Sequence, residues 1–273
     1  MSYAIAGHGP LDYQPCRYDG SPMTFRGPKT KTSDGFVLCL GGSETFGKFS
    51  PNPYPDLLAR RLGRSVVNMG AMNAGIDLLL HDPAIRNAQN RAGAVVLQVP
   101  GAANLSNRFF SVHPRRNDRF VKASTMMRTI YREVDFTEFH FTRHMLTALR
   151  RRSEDRFMIV VEELRAAWRA RMATLLDRIG VPVHLLWLSR RAPGDNPMDE
   201  EGLGYDPLFV DADMLAELEP LAASVSVCIL AQDARAPAAR GMFYGRGEEA
   251  AARLMPGPED HDRVAAMLAG AMA

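Results

Sequence analysis

The feature that most limits the fold of this chain is a set of short, apolar-rich runs spaced along it. Residues 36–40 (FVLCL), 65–70 (SVVNMG), 94–99 (AVVLQV), 183–188 (VHLLWL) and 226–230 (SVCIL) are each too short for a buried helix, and the first three stop at glycine or proline. Runs of this length bounded by turn residues read as strands buried on both faces. Between them, helices are predicted over 55–62, 78–90, 124–132, 138–151, 156–179, 211–223 and 259–272. Leu57, Leu58 and Leu62 share one helical face, Gly63 and Gly180 act as stops, and Asp211 is placed to cap a helix. Strands that alternate with helices and cross over right-handedly build a parallel sheet between two helical layers. The fold expected is therefore α/β: a three-layer α/β/α, flavodoxin-like domain with a mostly parallel five-stranded sheet.

The alternation is interrupted once. Residues 101–118 read as loop, and three helices then follow with no strand between them, so residues 106–155 are expected to form a helical insertion. Residues 1–34, rich in Gly, Pro, Tyr and Ser, read as an N-terminal arm or cap, and 35–273 as one domain. With 46% hydrophobic and 23% charged residues the chain is ordinary globular protein. No apolar run approaches the roughly 18 residues of a membrane span. The first residues lack the basic and apolar regions of a signal peptide. Three cysteines, Cys16, Cys39 and Cys228, have no disulfide or zinc spacing. These features lead us to expect a cytoplasmic protein with no cofactor, no metal, no membrane partner and, at a net charge of +2, no nucleic-acid partner. Charge is uneven, however. Arg108, Arg115, Arg116, Arg119 and Lys122 cluster with Asp118 as their only acid, 143–171 is a second basic stretch, and 195–219 is acidic without Lys or Arg.

Ligands of such sheets bind beyond the carboxyl ends of the strands. The turn after the first run is Gly41-Gly42-Ser43-Glu44-Thr45-Phe46-Gly47, after the second Asn68-Met69-Gly70, and after the third Gly101-Ala102-Ala103-Asn104. The glycines let the chain leave the sheet sharply, and a serine opening a helix has its N–H where a developing oxyanion is favoured.

These three turns, in this order, resemble the SGNH/GDSL hydrolase superfamily, and the whole pattern also resembles an uncharacterised bacterial family of unknown function related to it. The resemblance implies that Ser43 stands in the nucleophile position. It also implies that the Ser43 N–H, the Gly70 N–H and the Asn104 side chain form an oxyanion hole, with Asn107 as a rival to Asn104. Gly42 replaces the family's Asp. In the family, a catalytic Asp precedes a His by three positions shortly before the last helix; matching that helix puts Met255 at the His position and Ala252 at the Asp position, and leaves His261 in the helix's first turn.

A serine without a base is a poor nucleophile. A substitute is sought among His113, His140, His144 and His261. His140 and His144, four apart, are expected to share a helix face, although the zinc-protease Glu is absent because Phe141 follows His140. Arg115, Arg116 and Arg119 are suited to grip a carboxylate, sulfate or phosphate. Three readings follow: an SGNH-like serine hydrolase or acyl transferase acting on an ester of a carbohydrate or similar polar molecule through a displaced base; a catalytically inactive relative binding an anionic ligand or glycan; and a partner protein in a polysaccharide-modification pathway that docks through the acidic 195–219 stretch. The sequence leaves the oligomeric state open.

Overall fold

The computed structural model describes residues 9–30, 35–198, 202–230 and 239–273. Strand β1 (Val37–Leu40) leads into the single-turn helix α1 (Ser43–Phe46), then α2 (Tyr54–Leu62), β2 (Val66–Asn68), α3 (Ile76–His81), α4 (Pro83–Gln89) and β3 (Ala94–Gln98). An excursion follows: strands β4 (Phe110–His113) and β5 (Arg116–Ala123), then α5 (Thr125–Ile130) and α6 (Thr142–Arg152). The chain returns through α7 (Glu154–Arg178), β6 (Val183–Ser189), α8 (Ala212–Ala216), β7 (Ser224–Ile229), α9 (Glu249–Ala252) and α10 (Pro258–Ala271).

The main sheet has the order β2-β1-β3-β6-β7, and every pairing in it is parallel. Counting only these strands gives 2-1-3-4-5, the flavodoxin-like order, with its reversal between β1 and β3. Side chains alternate between two apolar faces. Leu38, Leu40, Val95, Leu97, Leu185 and Trp187 pack with Ile76, Leu164, Trp168 and Met172 of α3 and α7. Val37, Cys39, Val96, Leu186 and Cys228 pack with Leu58, Val264 and Leu268 of α2 and α10. Burial on both faces is why β1 and most of β2, β3 and β6 are apolar instead of alternating with polar residues, whereas the half-exposed edge strand β7 alternates Ser and Val over Ser224–Val227. Trp168 is wholly buried, and its indole N–H donates to Pro100 O at 2.8 Å, tying the long helix to the turn after β3.

Three expectations need correction. The stretch 101–118 is not all loop, and the insertion is not all helical: β4 and β5 pair antiparallel, and register shifts on both sides of Val112 break the alternation that would have revealed them. Residues 78–90 form two helices because Asp82 ends one and caps the next, accepting from the N–H groups of Ala84 and Ile85, with Pro83 in first position. Residues 211–223 hold only α8 and a 3₁₀ turn, Glu219–Leu221, which contains Pro220. Asp211 does cap α8.

The described part of the N-terminal arm lies against the domain. Phe25 is fully buried in the larger core, and the Arg26 guanidinium donates to Gly47 O and Pro51 O at 2.9 and 3.1 Å. The rest of the arm, 1–8 and 31–34, and part of the acidic stretch, 199–201, lie outside the described residues. Among the described residues no helix is long and apolar enough to cross a membrane.

Candidate functional site

Ser43 is the first residue of α1, at the carboxyl end of β1 and beside the β1/β3 reversal. It opens onto a hollow of about 170 Å³, whose polar lining comes from Glu44, Asn73, Gln98, Asn104 and Asp206. Gln98, the last residue of β3, organises one wall. Its Oε1 accepts from the Gly42 N–H (3.1 Å) and the Thr45 hydroxyl (2.6 Å), and its Nε2 donates to Glu44 Oε2 (3.0 Å). Glu44 Oε2 lies 3.0 Å from where a Cβ on Gly42 would sit. The glycine at 42 thus makes room for a carboxylate delivered two residues later. Burial pushes the Glu44 carboxyl above the usual range, the Gln98 hydrogen bond pulls it back in part, and the Asp206 charge pushes it further up.

The turn after β2 is used differently from expectation. The Gly70 N–H donates to Asn68 Oδ1 at 2.9 Å, and a Cβ on Gly70 would lie 2.3 Å from Phe46 N, so Gly70 serves close packing under α1 and its N–H is already occupied. The N–H that reaches the serine is that of Asn73, which donates to Ser43 Oγ at 3.2 Å. Asn73 sits at φ +58°, a left-handed conformation that Asn adopts more readily than most residues. The Asn-Ala-Gly sequence at 73–75 was the available signal.

Asn104 lines the same hollow. Its Oδ1 accepts from the Thr142 hydroxyl at 2.5 Å, which leaves the amide –NH₂ as the group free to donate. Asn107 instead spends its amide on its own turn, accepting from the N–H groups of Phe109 and Phe110 and donating to Leu105 O.

No described histidine lines the Ser43 hollow; Met255 does. His261 is wholly buried. Its Nδ1 accepts from the Tyr54 N–H at 3.2 Å, its Nε2 has no partner among the described residues, and burial lowers its pKa to about 4. His140 and His144 do not share a helix face, because α6 begins at Thr142 and His140 precedes it. His140 opens onto a second hollow of about 830 Å³, whereas His144, edge-on to Phe139 at 5.1 Å, opens onto a third of about 640 Å³. His113 Nδ1 accepts from the N–H groups of Arg115 and Arg116, which closes the β4–β5 turn.

The second hollow is the basic one. Arg115, Arg116 and Arg119 all line it, with His113, His140 and Asp118. Arg115 and Arg116 are exposed and have no ion-pair partner among the described residues. Arg119 lies over the Phe141 ring at 4.0 Å. Arg108 is separate: it pairs with Glu163 and is a fixture of the scaffold. Asn117 pegs this hairpin to the sheet side of the cleft. Fully buried, it accepts from the N–H groups of Gly75 (2.8 Å) and Leu78 (3.2 Å) and donates to His113 O (3.0 Å). Asn73 lines all three hollows, so they form one cleft running from Ser43 to the basic hairpin. Among the described residues no group of three or more His, Cys, Asp or Glu side chains is placed to hold a metal.

No curated protein matches the sequence significantly. Among solved structures, the chain is similar to a protein from Slackia heliotrinireducens assigned as an SGNH hydrolase (16% identity, 88% of this chain and 100% of that one, TM-score 0.41). It is similar to an acetylxylan esterase from Geobacillus stearothermophilus (14%, 88% and 95%, TM-score 0.41) and to a protein from Parabacteroides merdae assigned as a GDSL-like lipase (14%, 89% and 98%, TM-score 0.41). The model of one protein family, described as Domain of unknown function (DUF6473), matches residues 1–273, and the chain belongs to that family.

Proposed function

We propose that this protein binds an anionic, polar small molecule in the cleft between Ser43 and the basic hairpin, and that Ser43 acts as a hydrogen-bonding group instead of an activated nucleophile. One observation carries this reading: the Ser43 hollow is lined by Met255 and by no described histidine. Base assistance is typically worth about 10²–10⁴-fold, so its loss leaves the donors of the site with binding as their use. Those donors are the Ser43 N–H at the start of α1 and the Asn104 amide. The hollow of about 170 Å³ is smaller than the roughly 300–1,000 Å³ of ordinary ligand pockets. It takes one end of a ligand whose charged part lies against Arg115 and Arg116.

A second reading rests on Glu44 and Asp206, two carboxylates in the Ser43 hollow. With one of them as base, the protein would be a serine hydrolase or acyl transferase of unusual design. Labelling with a fluorophosphonate probe separates the two, with Ser43→Ala as control. No Ser43-dependent labelling, together with thermal stabilisation by small anions, is expected. Labelling that disappears in Ser43→Ala would overturn the binding reading in favour of the hydrolase.

A further inference from the structure

We propose that the ligand is an acidic oligosaccharide, whose ring stacks on Phe141 and whose oxyanion substituent is held by Arg115 and Arg116. This deepens the binding reading above and rests on it. Four features of the cleft point to a sugar.

The first is an aromatic surface where none is needed for packing. Phe141 remains 41% exposed and lines both the second and third hollows. The Arg119 guanidinium lies over the ring, and the backbone of Phe141 is bridged to that of Arg119, so the ring is held in place. A fixed, exposed ring in a polar cleft offers apolar area to the C–H face of a pyranose at little entropic cost.

The second is a carboxylate beside it. Asp118 lines the same two hollows, and its Oδ1 is buried without a partner among the described residues. The Asp118 side chain as a whole is only half-buried, and its other carboxylate oxygen can accept from neighbouring sugar hydroxyls. The third feature is the distribution of charge. Arg115 and Arg116 have no ion-pair partner among the described residues; Asp118 stands beside them and also lines the third hollow, and Asp206 and Glu44 follow along the path. That pattern accepts one anionic substituent followed by hydroxyls and repels a continuous phosphodiester backbone. The fourth is reach. Asn73 is common to the three hollows, so a chain of sugars can lie from the hairpin to Ser43 without leaving the cleft.

The test is calorimetric titration of the full chain at fixed ionic strength with five probes: a singly sulfated disaccharide, a uronate disaccharide, their uncharged parent, inorganic sulfate and an oligothymidylate. At least one charged disaccharide is expected to bind tenfold or more tightly than both the parent and inorganic sulfate, and which one does so identifies the oxyanion. Arg115→Ala combined with Arg116→Ala should abolish the preference over the parent. Phe141→Ala should weaken every disaccharide at least fivefold and leave inorganic sulfate unchanged. Inorganic sulfate binding as tightly as the disaccharides would overturn the sugar assignment while leaving anion binding intact. Tighter binding of the oligothymidylate, or no binding of any probe, would also overturn it. Ser43-dependent probe labelling would instead defeat the non-catalytic reading and leave the titrations unaffected.

Discussion

The Asn73 N–H donates to Ser43 Oγ at 3.2 Å, while Asn73 Oδ1 lies 3.5 Å from the same oxygen. The serine is thus held from one side by a single residue, and the partner that engages its lone pair is a donor. Asn73 is exposed, so water can replace the hydroxyl if it is removed. Ser43→Ala is expected to cost no more than about 1 kcal/mol in urea denaturation. A loss of several kcal/mol would mean that the hydroxyl is part of the scaffold.

Met255 lines the Ser43 hollow in the place where the sequence comparison expects histidine. Met255→His should therefore raise the rate of Ser43 labelling by a fluorophosphonate at least tenfold, a fraction of the roughly 10²–10⁴ available from base assistance. An unchanged rate in a folded variant would show that position 255 does not reach the serine.

A carboxylate stands near Ser43, that of Glu44, and Gly42 makes room for it. Gly42→Asp would put a Cβ 3.0 Å from Glu44 Oε2 and a second carboxylate beside the first. The expected cost is about 1–3 kcal/mol, reduced by at least half when Glu44→Gln is added. Additive effects would show that the two sites do not compete. Glu44→Gln alone tests the pH linkage. The folded-state pKa of Glu44 is raised above 4.5, so the protonated form favours folding below that pH and the advantage is lost as pH rises through the raised value. At pH 7 the variant should be the more stable protein, and its lead should shrink as pH falls toward 4.5.

Much of the architecture was legible because burial on both sheet faces leaves the strands largely apolar, and because Gly41 and Pro100 punctuate strands and Gly63 a helix. The placement of Ser43 and Asn104 at one hollow was legible for the same reason, since they stand after β1 and β3 at the reversal in strand order. The hairpin was not, since two register shifts around Val112 erased its alternation. Nor was the exchange of Gly70 for Asn73. Both residues stand in one turn, and only the fold decides which N–H is taken by Asn68 and which faces the serine. The role of His261 depended on a contact across 207 residues, with the Tyr54 N–H, which no local pattern records.

His261 predicts a second pH effect of opposite sign. Its pKa is lowered from 6.5 to about 4 by burial and the Arg26 charge, so the neutral ring contributes stability above pH 6.5 that is lost as pH falls through about 4. Over that window the loss approaches about 3 kcal/mol at about 1.4 kcal/mol per unit. His261→Asn, whose carbonyl can accept from the Tyr54 N–H, should be less stable at neutral pH and should show a shallower acid dependence between pH 6.5 and 4. Parallel curves for the two proteins would rule out His261 as the titrating group.

Two of the three hydrogen bonds of Asn117 bind the hairpin that carries Arg115 and Arg116 to the start of α3, next to the Asn73 turn, and the third, to His113 O, closes the hairpin on itself. The two walls of the cleft are therefore one mechanical piece, joined at a buried residue and not through a loose loop. A ligand entering it has little chain to immobilise, so the entropy that usually erodes affinity on binding is largely spent during folding. If the proposed ligand binds there, recognition is close to rigid docking against the backbone, and the fixed separation between the hairpin backbone and that of Ser43 acts as a ruler for the length of whatever lies between them.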